Sequence, residues 1–373
     1  MDFSFSDEQL LLQDSLQKFV QNDYQFDDRQ KSAASDGGFS KDNWAQFAEL
    51  GWLGMPFSEA DGGYGGSAVD TMLMQEQFGR ALLIEPFLPT IILAGGAIKI
   101  AGDAAQKAKY LAGVIDGSMQ GALAYAEPQG RFNLADLTTT ANKAGAGYEL
   151  SGHKAVVLNG PAANFYVVSA RTSGDQRDPS GVSLFIVERD ATGASRRDYP
   201  TVDALQASEL TLENTPAVLL GQEGQGLDLL TQVIDEATLA IGAEAVGCME
   251  VLYKDTVEYC KTREQFGQPI GKFQVLQHAM VDMFMEYEQS KSLMFMAAMR
   301  LDEGYGPSAQ KAVSAFKVQV GKSGRFVGQN AVQLHGGMGM TEELNIGHYF
   351  KRLTMIDTMF GNVDHHLKRF GSL

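Results

Sequence analysis

The chain has 373 residues and a formal net charge of −16, so it is longer than a single hydrophobic core usually needs. It is also too acidic to offer the clustered cations that bind nucleic acid or an anionic membrane. The sequence has two cysteines, Cys248 and Cys260. One predicted helix holds them about 18 Å apart, which is too far for a disulfide. We therefore expect a reducing, cytoplasmic location.

The N-terminal region, residues 1–118, is predicted to be helical. Its opening, MDFSFSDEQLLLQ, lacks the segments of a signal peptide, and the chain has no apolar run long enough to span a membrane. Ser6 and Gln9 form a capping-box pattern at the first helix. The glycine-rich EADGGYGGSA is interpreted as a turn and not a phosphate cradle, because no strand precedes it and no Lys-Ser/Thr follows it. Further helices are expected near 40–50, over Met72–Gly79, near 90–100 and near 104–114.

The second region, residues 119–224, is predicted to be a β-domain. Short β-rich runs such as YELSGHKAVVL, FYVVSAR and GVSLFIVE are bounded by Gly, Pro, Asn or Asp, which is typical of an antiparallel barrel or sandwich. The segments between these runs leave no room for crossover helices. A doubly wound nucleotide-binding fold is therefore disfavoured.

The third region, residues 225–373, is predicted to be a four-helix bundle. Helical periodicity runs from Leu227 to about Lys261, from Phe273 to about Asp302, from Ser308 to about Leu334, and from about Glu342 to Met359. A di-iron centre would need Glu-x-x-His pairs on two helices, and the sequence has none, so we expect no metal. The fold class is α+β and multidomain: a helical domain, a β-domain and a helical bundle.

Two motifs lie in connections of the predicted bundle. RxxFGxPIxxFQ, Arg263–Gln274, lies between its first two helices, and QLHGGMGMTEE, Gln333–Glu343, lies between its third and fourth. Together with the order of the three regions, these motifs resemble those of acyl-CoA dehydrogenases over the whole length of the chain. More narrowly, the C-terminal GHYFKRLTMIDTMFGNVDHH resembles the small subunits of pimeloyl-CoA dehydrogenases.

The resemblance implies a reaction and a cofactor. Such enzymes remove a proton from the α-carbon and a hydride from the β-carbon of an acyl-CoA thioester, and the hydride passes to FAD. The FAD lies across a subunit interface: one subunit holds the isoalloxazine ring, and its neighbour holds the pyrophosphate and the adenosine. An electron-transfer flavoprotein is the electron acceptor expected from the family.

The residues that match the family pattern belong to the half of the FAD site that is lent to a neighbour. A guanidinium at Arg263 would form charge-assisted hydrogen bonds to the pyrophosphate. Phe266 would pack beside the pyrophosphate, and Gln274 and Gln333 would hydrogen-bond the nucleotide. Gly336 and Gly337 lack a Cβ, which would allow the backbone to approach the cofactor closely. The alternative is a helix-capping arginine followed by a flexible glycine loop.

The residues that would contact the chain's own flavin depart from the family pattern. The family's TEPxxGSD corresponds to AEPQGRFNL, in which Ala126 replaces the threonine. The family's KxWITNG corresponds to KAVVLNG, in which Val156 replaces the tryptophan and Leu158 replaces the threonine of that motif. Neither aliphatic side chain can donate a hydrogen bond. Lys154, Asn159 and Gly160 match the family pattern, which indicates that the strand and its turn are kept while the flavin contacts are lost.

The catalytic base is also missing from its usual position. The glutamate of the family's YEGT motif aligns with Phe360, which cannot accept a proton, and the position used by other members aligns with Ala237. Glu244 lies on roughly the same face as Ala237 and is a candidate for a relocated base. The alternative is that Glu244 hydrogen-bonds across an interface or lines a cavity.

Three hypotheses follow from this pattern. The first is the small subunit of a heteromeric, α2β2-type acyl-CoA dehydrogenase that completes the FAD site of a homologous large subunit and acts on a dicarboxylic or steroid side-chain acyl-CoA. The second is a self-sufficient homomeric enzyme with Glu244 as its base. The third is a non-catalytic scaffold that has kept only the fold. The chain has lost the residues that would contact its own flavin but has kept those that would contact the flavin of a neighbouring subunit. This combination favours the first hypothesis.

Overall fold

A computed structural model describes residues 5–145 and 147–373 of the chain. Its helices are α1 (Asp7–Asn22), α2 (Phe26–Ala33), α3 (Lys41–Glu49), α4 (Ala68–Ala81), α5 (Gly96–Ala101), α6 (Ala104–Gln106), α7 (Ala112–Ile115), α8 (Gly226–Thr262), α9 (Gln274–Asp302), α10 (Pro307–His335), α11 (Asn345–Thr358) and α12 (Val363–Ser372). Its strands are β1 (Gly121–Ala124), β2 (Thr140–Ala144), β3 (Gly147–Leu158), β4 (Phe165–Arg171), β5 (Val182–Glu188), β6 (Ala194–Pro200), β7 (Gln206–Leu220), β8 (Glu264–Gln265) and β9 (Gln268–Pro269). The predicted order of helical, β and helical regions is confirmed.

The N-terminal capping box is present as predicted. The Ser6 hydroxyl accepts from the backbone N–H of Gln9 at 3.2 Å, and the Gln9 side chain accepts from the backbone N–H of Ser6 at 3.1 Å. Helix α2 was not anticipated, because Arg29 is its one buried side chain and hydrophobic periodicity therefore carries no signal there.

The described chain forms two compact units, and the N-terminal region contributes to both. One unit is helical and combines the described residues up to Gln30 with Ser67–Leu83 and Thr238–Leu373. The other combines Lys31–Gly66 with Ile84–Ala237 and contains the large sheet. None of the described helices is long and apolar enough to cross a membrane.

The large sheet closes on itself. Its strand order is β1-β4-β2-β3-β7-β5, β6 pairs with β7, and a further pairing between β4 and β5 completes the barrel. Side chains such as Leu150, Val168, Phe185 and Leu210 are buried in its core. Most neighbours are antiparallel, as predicted, whereas β1 and β2 both run parallel to β4. Strand composition does not specify direction, so these parallel pairs could not be read from the sequence.

In the helical unit, α9 and α10 form an antiparallel pair joined by residues 303–306, and α10 also contacts α11 and α12. The four predicted helices begin and end within a few residues of the observed bounds. Helix α12 was not predicted as a separate element. Asn362 caps its N-terminus: the Asn362 side chain accepts from the His365 N–H at 3.0 Å.

Candidate functional site

Segment 263–274 is a tight hairpin between α8 and α9. Its turn is Phe266–Gly267, with φ of +54° and +76°, as a two-residue type I′ turn requires. The Arg263 N–H donates to the Tyr259 carbonyl at 2.8 Å, and the Arg263 carbonyl accepts from Ile270 at 2.8 Å. The backbone of Arg263 is therefore held on both sides, while its side chain is exposed.

Two side chains of this hairpin, those of Arg263 and Phe266, are exposed. The Arg263 guanidinium is exposed and pairs with no carboxylate among residues 5–145 and 147–373. Phe266 is 91% exposed, and its ring meets that of Phe273 edge-on at 6.1 Å. A non-glycine residue in left-handed backbone costs on the order of 1 kcal/mol. Both side chains are suited to contacts outside this chain.

The glycine motif begins where α10 ends. Gly336 has φ of +60° and ψ of −141°, a conformation that glycine adopts readily and other residues do not. A Cβ on Gly336 or Gly337 would touch nothing within 4 Å, so internal packing does not require glycine at Gly337. Gln333 is exposed two residues before the end of the helix. This surface is open to an external group.

The fold brings the six predicted residues to one end of the helical unit. The rings of Tyr259 and His335 stack at 4.3 Å, which joins the end of α8 to the end of α10. Because α9 runs antiparallel to α10, its first residue, Gln274, lies at the same end. Tyr259 and His335 were not identified from the sequence. Only their proximity in the fold reveals them, because they lie far apart along the chain.

Glu244, the candidate base, is engaged in a buried ion pair. Its two carboxylate oxygens accept from the Arg352 guanidinium at 2.5 and 2.7 Å, and both side chains are buried. The pair joins α8 to α11, and α4 crosses α8 so closely at this point that a Cβ on Gly79 would collide with the Glu244 carbonyl. A carboxylate engaged at both oxygens is poorly placed to take a substrate proton. Glu244 therefore forms a buried ion pair with Arg352, and its role as a relocated base stays a prediction.

Phe360 lies in the connection between α11 and α12, 7% exposed and with φ of +57°. Buried side chains hold this connection: Lys317 Nζ donates to the carbonyls of Asp357 and Gly361 at 3.1 and 2.7 Å, and His366 Nε2 donates to that of Phe360 at 3.0 Å. Burial lowers the pKa of Lys317 to about 8 and that of His366 to about 3. The connection is firmly built, but its central side chain cannot accept a proton.

A buried ion pair fixes the turn that carries Ala126 in the β-containing unit. Lys154 Nζ lies 2.7 Å from Glu127 Oε1, and both side chains are fully buried. Burial lowers the pKa of Lys154 to about 8 despite the nearby carboxylate. Burial alone would raise the pKa of Glu127, but the Lys154 charge and hydrogen bonds from Thr138 and Thr139 outweigh it and lower that pKa.

Beyond Lys154, strand β3 bulges at Val156, which has φ of +51° and is 49% exposed. This conformation is an outlier for a β-branched residue, so the backbone distortion persists although an aliphatic side chain occupies the position. Val156, Leu158 and Ala126 carry no side-chain donor. The bulge is therefore present, and these three positions offer no polar side-chain contact.

Comparison with known proteins identifies the family. Residues 6–118, 122–215 and 224–370 match the N-terminal, middle and C-terminal domains of acyl-CoA dehydrogenases. The chain belongs to the acyl-CoA dehydrogenase family. Family membership confirms the predicted fold class and FAD as the cofactor, and it supports acyl-CoA dehydrogenase oxidoreductase activity.

Three similar proteins illustrate the match. The short-chain-specific acyl-CoA dehydrogenase of Megasphaera elsdenii is 31% identical over 84% of this chain and 85% of that protein. A variant of the Tcur3481–Tcur3483 steroid ACAD is 31% identical, with a TM-score of 0.89 over 98% of this chain and 97% of that chain. The FAD complex of PigA is 26% identical, with a TM-score of 0.92 over 100% and 98% of the two chains.

The described residues of this acyl-CoA dehydrogenase fit one part of FAD better than the other. An exposed guanidinium that forms no ion pair with any described residue, two exposed carboxamides and an open glycine pair suit a pyrophosphate and a nucleotide. The aliphatic positions Ala126, Val156 and Leu158 offer an isoalloxazine ring no side-chain donor. When bound, FAD supplies the hydride acceptor of the reaction.

Proposed function

We propose that this chain is the small subunit of a heteromeric, FAD-dependent acyl-CoA dehydrogenase. It lends Arg263, Phe266 and the nearby glutamines and glycines to the FAD of a homologous large subunit, which supplies the ring site and the base. One contrast carries the proposal. Arg263 is exposed and forms no ion pair within the described part of the chain, and it lies near the strained, exposed Phe266, whereas the position of the family's base is filled by the buried Phe360.

An apolar surface next to the hairpin supports a partner on this side of the molecule. Directly after Gln274, the first turns of α9 expose Val275, Val281 and Met285 by 72%, 56% and 50%. All three side chains lie within the first twelve residues of α9, and exposed apolar surface marks interaction sites. The net charge of −16 favours a solvated surface. A subunit interface explains why these three exposed positions are apolar. We call these three residues the α9 face.

The substrate is an acyl-CoA thioester, and we propose a bulky acyl group, either dicarboxylic or a steroid side chain. The steroid ACAD described above, at 31% identity, supports the second. An electron-transfer flavoprotein is the proposed acceptor and the cytoplasm the proposed location. Loss of one ring site in each pair of subunits would also leave volume for such an acyl group.

Purification of the chain with and without its partner tests the proposal. The chain alone is expected to be colourless and inactive, because the ring contacts at Ala126, Val156 and Leu158 are missing. Co-expression with a large subunit that has intact TEPxxGSD and WIT segments is expected to give a yellow, active complex. Visible flavin absorbance and acyl-CoA oxidation measure both. A yellow, active preparation of the chain alone would reject the proposal.

Charged substitutions on the α9 face test where the partner binds. The double substitution Val281→Asp and Met285→Asp is expected to weaken assembly at least tenfold, because it would bury carboxylates in an apolar interface. The isolated chain should keep its stability to within about 0.5 kcal/mol, since both side chains are surface-exposed. Size-exclusion chromatography with light scattering measures assembly.

The control for the α9 face is Leu11→Asp, which places a carboxylate at an apolar side chain 70% exposed on α1. It is expected to leave the complex intact. Unimpaired assembly of the double variant would show that the partner does not bind at the α9 face.

A further inference from the structure

The connection between α10 and α11, residues 336–344, is attached to α8 at both of its ends. On the α10 side, the His335 ring stacks on Tyr259 at 4.3 Å with 27° between the ring planes, and the Tyr259 hydroxyl donates to the His335 carbonyl at 3.5 Å. On the α11 side, Asn345 Nδ2 donates to Asp255 Oδ2 at 3.2 Å. Asp255 and Tyr259 lie one turn apart on α8, so one face of α8 holds both ends of the glycine-containing connection.

His335 itself is buried and held in one orientation. Its Nδ1 lies 2.8 Å from the carbonyl of Ala331, and a carbonyl can only accept, so Nδ1 carries the proton. Burial lowers the pKa of His335, and the nearby carbonyl of Ala331 and the Asp255 carboxylate offset this only in part. The ring is therefore uncharged at neutral pH, which suits a stacked, desolvated position against Tyr259.

The stack lies between the two groups that would hold the nucleotide. The Arg263 N–H donates to the carbonyl of Tyr259, so a displacement of Tyr259 also displaces Arg263. His335 directly precedes Gly336, whose φ of +60° sets the direction of the connection. A Cβ on Gly336 or Gly337 would meet nothing within 4 Å. Later in the connection the Glu342 carbonyl accepts from Gln30 Nε2 at 2.8 Å, so the His335 stack anchors the glycine-containing start of the loop.

We infer that His335 is a positioning residue for FAD. By stacking on Tyr259, it holds the ends of α8 and α10 together, so that Arg263 on one side and Gln333 and Gly336 on the other keep the spacing that a nucleotide and its pyrophosphate require. This inference rests on the proposed function. It adds His335 and Tyr259 to the site as residues that act through their neighbours and not by contact with the cofactor.

Two variants of the heteromeric complex separate positioning from simple packing. His335→Ala removes the stacked ring and is expected to weaken FAD affinity at least tenfold and to speed amide hydrogen exchange in residues 336–344. His335→Phe keeps an aromatic ring on Tyr259 without the Nδ1 donor and is expected to restore most of the affinity. A purely structural role predicts lower stability in both variants with unchanged FAD affinity per folded complex.

Arg263→Ala, measured in parallel, separates failure of this inference from failure of the proposed function. Unchanged FAD affinity in Arg263→Ala would overturn the proposed function. A loss in Arg263→Ala with wild-type affinity and exchange in His335→Ala would overturn the role of His335 alone. If His335→Ala does not assemble, Tyr259→Leu removes the stack from the α8 side, and wild-type affinity and exchange in that variant would overturn the inference equally.

Discussion

Replacement of Arg263 by alanine is expected to leave the purified heteromeric complex largely without flavin. Hydrogen bonds to a charged group contribute about 1.5–3 kcal/mol, so loss of a guanidinium that pairs with a pyrophosphate should weaken FAD affinity by on the order of a hundredfold. The fold should be unaffected, because the side chain is exposed and forms no ion pair within the described chain. Flavin absorbance per complex and FAD titration of the stripped complex measure the effect.

Two further variants sharpen the Arg263 experiment. Arg263→Lys keeps the charge but not the planar fork, so its FAD affinity should fall between those of the wild type and the alanine variant. Arg300→Ala is the matched control, since Arg300 lies at the other end of α9 and pairs with Glu303 at 2.5 Å; its flavin content should be normal. A full complement of flavin in Arg263→Ala would mean that the arginine is structural, as the scaffold hypothesis predicts.

Replacement of Glu244 by glutamine is expected to lower the free energy of unfolding by about 3 kcal/mol. Removal of one member of a buried ion pair typically costs this much or more, because the remaining charge loses its compensation. In the wild type, both Glu244 oxygens accept from Arg352 at 2.5 and 2.7 Å. Turnover per folded complex should change little. Denaturant titration measures the first quantity, and steady-state kinetics on the assembled complex measure the second.

The control for Glu244 is a double substitution, Glu244→Leu with Arg352→Met. Replacing both members of a buried pair with apolar side chains of similar volume often restores stability, so the double variant should recover much of the loss. A Glu244→Gln complex with normal stability and abolished turnover would instead identify Glu244 as the base. That outcome would revive a self-sufficient enzyme.

Local sequence patterns were sufficient for most helices. Ser6 and Gln9 specify a helix start through short-range hydrogen bonds, and the spacing of apolar residues identifies the long helices of the bundle because each buries one face. The pattern failed at α2, whose one buried side chain is the polar Arg29. A helix without an apolar face leaves no periodic signal.

The sequence by itself also determined the family, through the motifs at Arg263–Gln274 and Gln333–Glu343, because turn residues and site residues are specified locally. Only the tertiary structure decided that Glu244 pairs with Arg352, that His335 stacks on Tyr259, and that β1 runs parallel to β4. The physical reason is the same in each case. Periodicity shows which face of an element is buried, whereas the partner on that face is set by the packing of segments far apart along the chain.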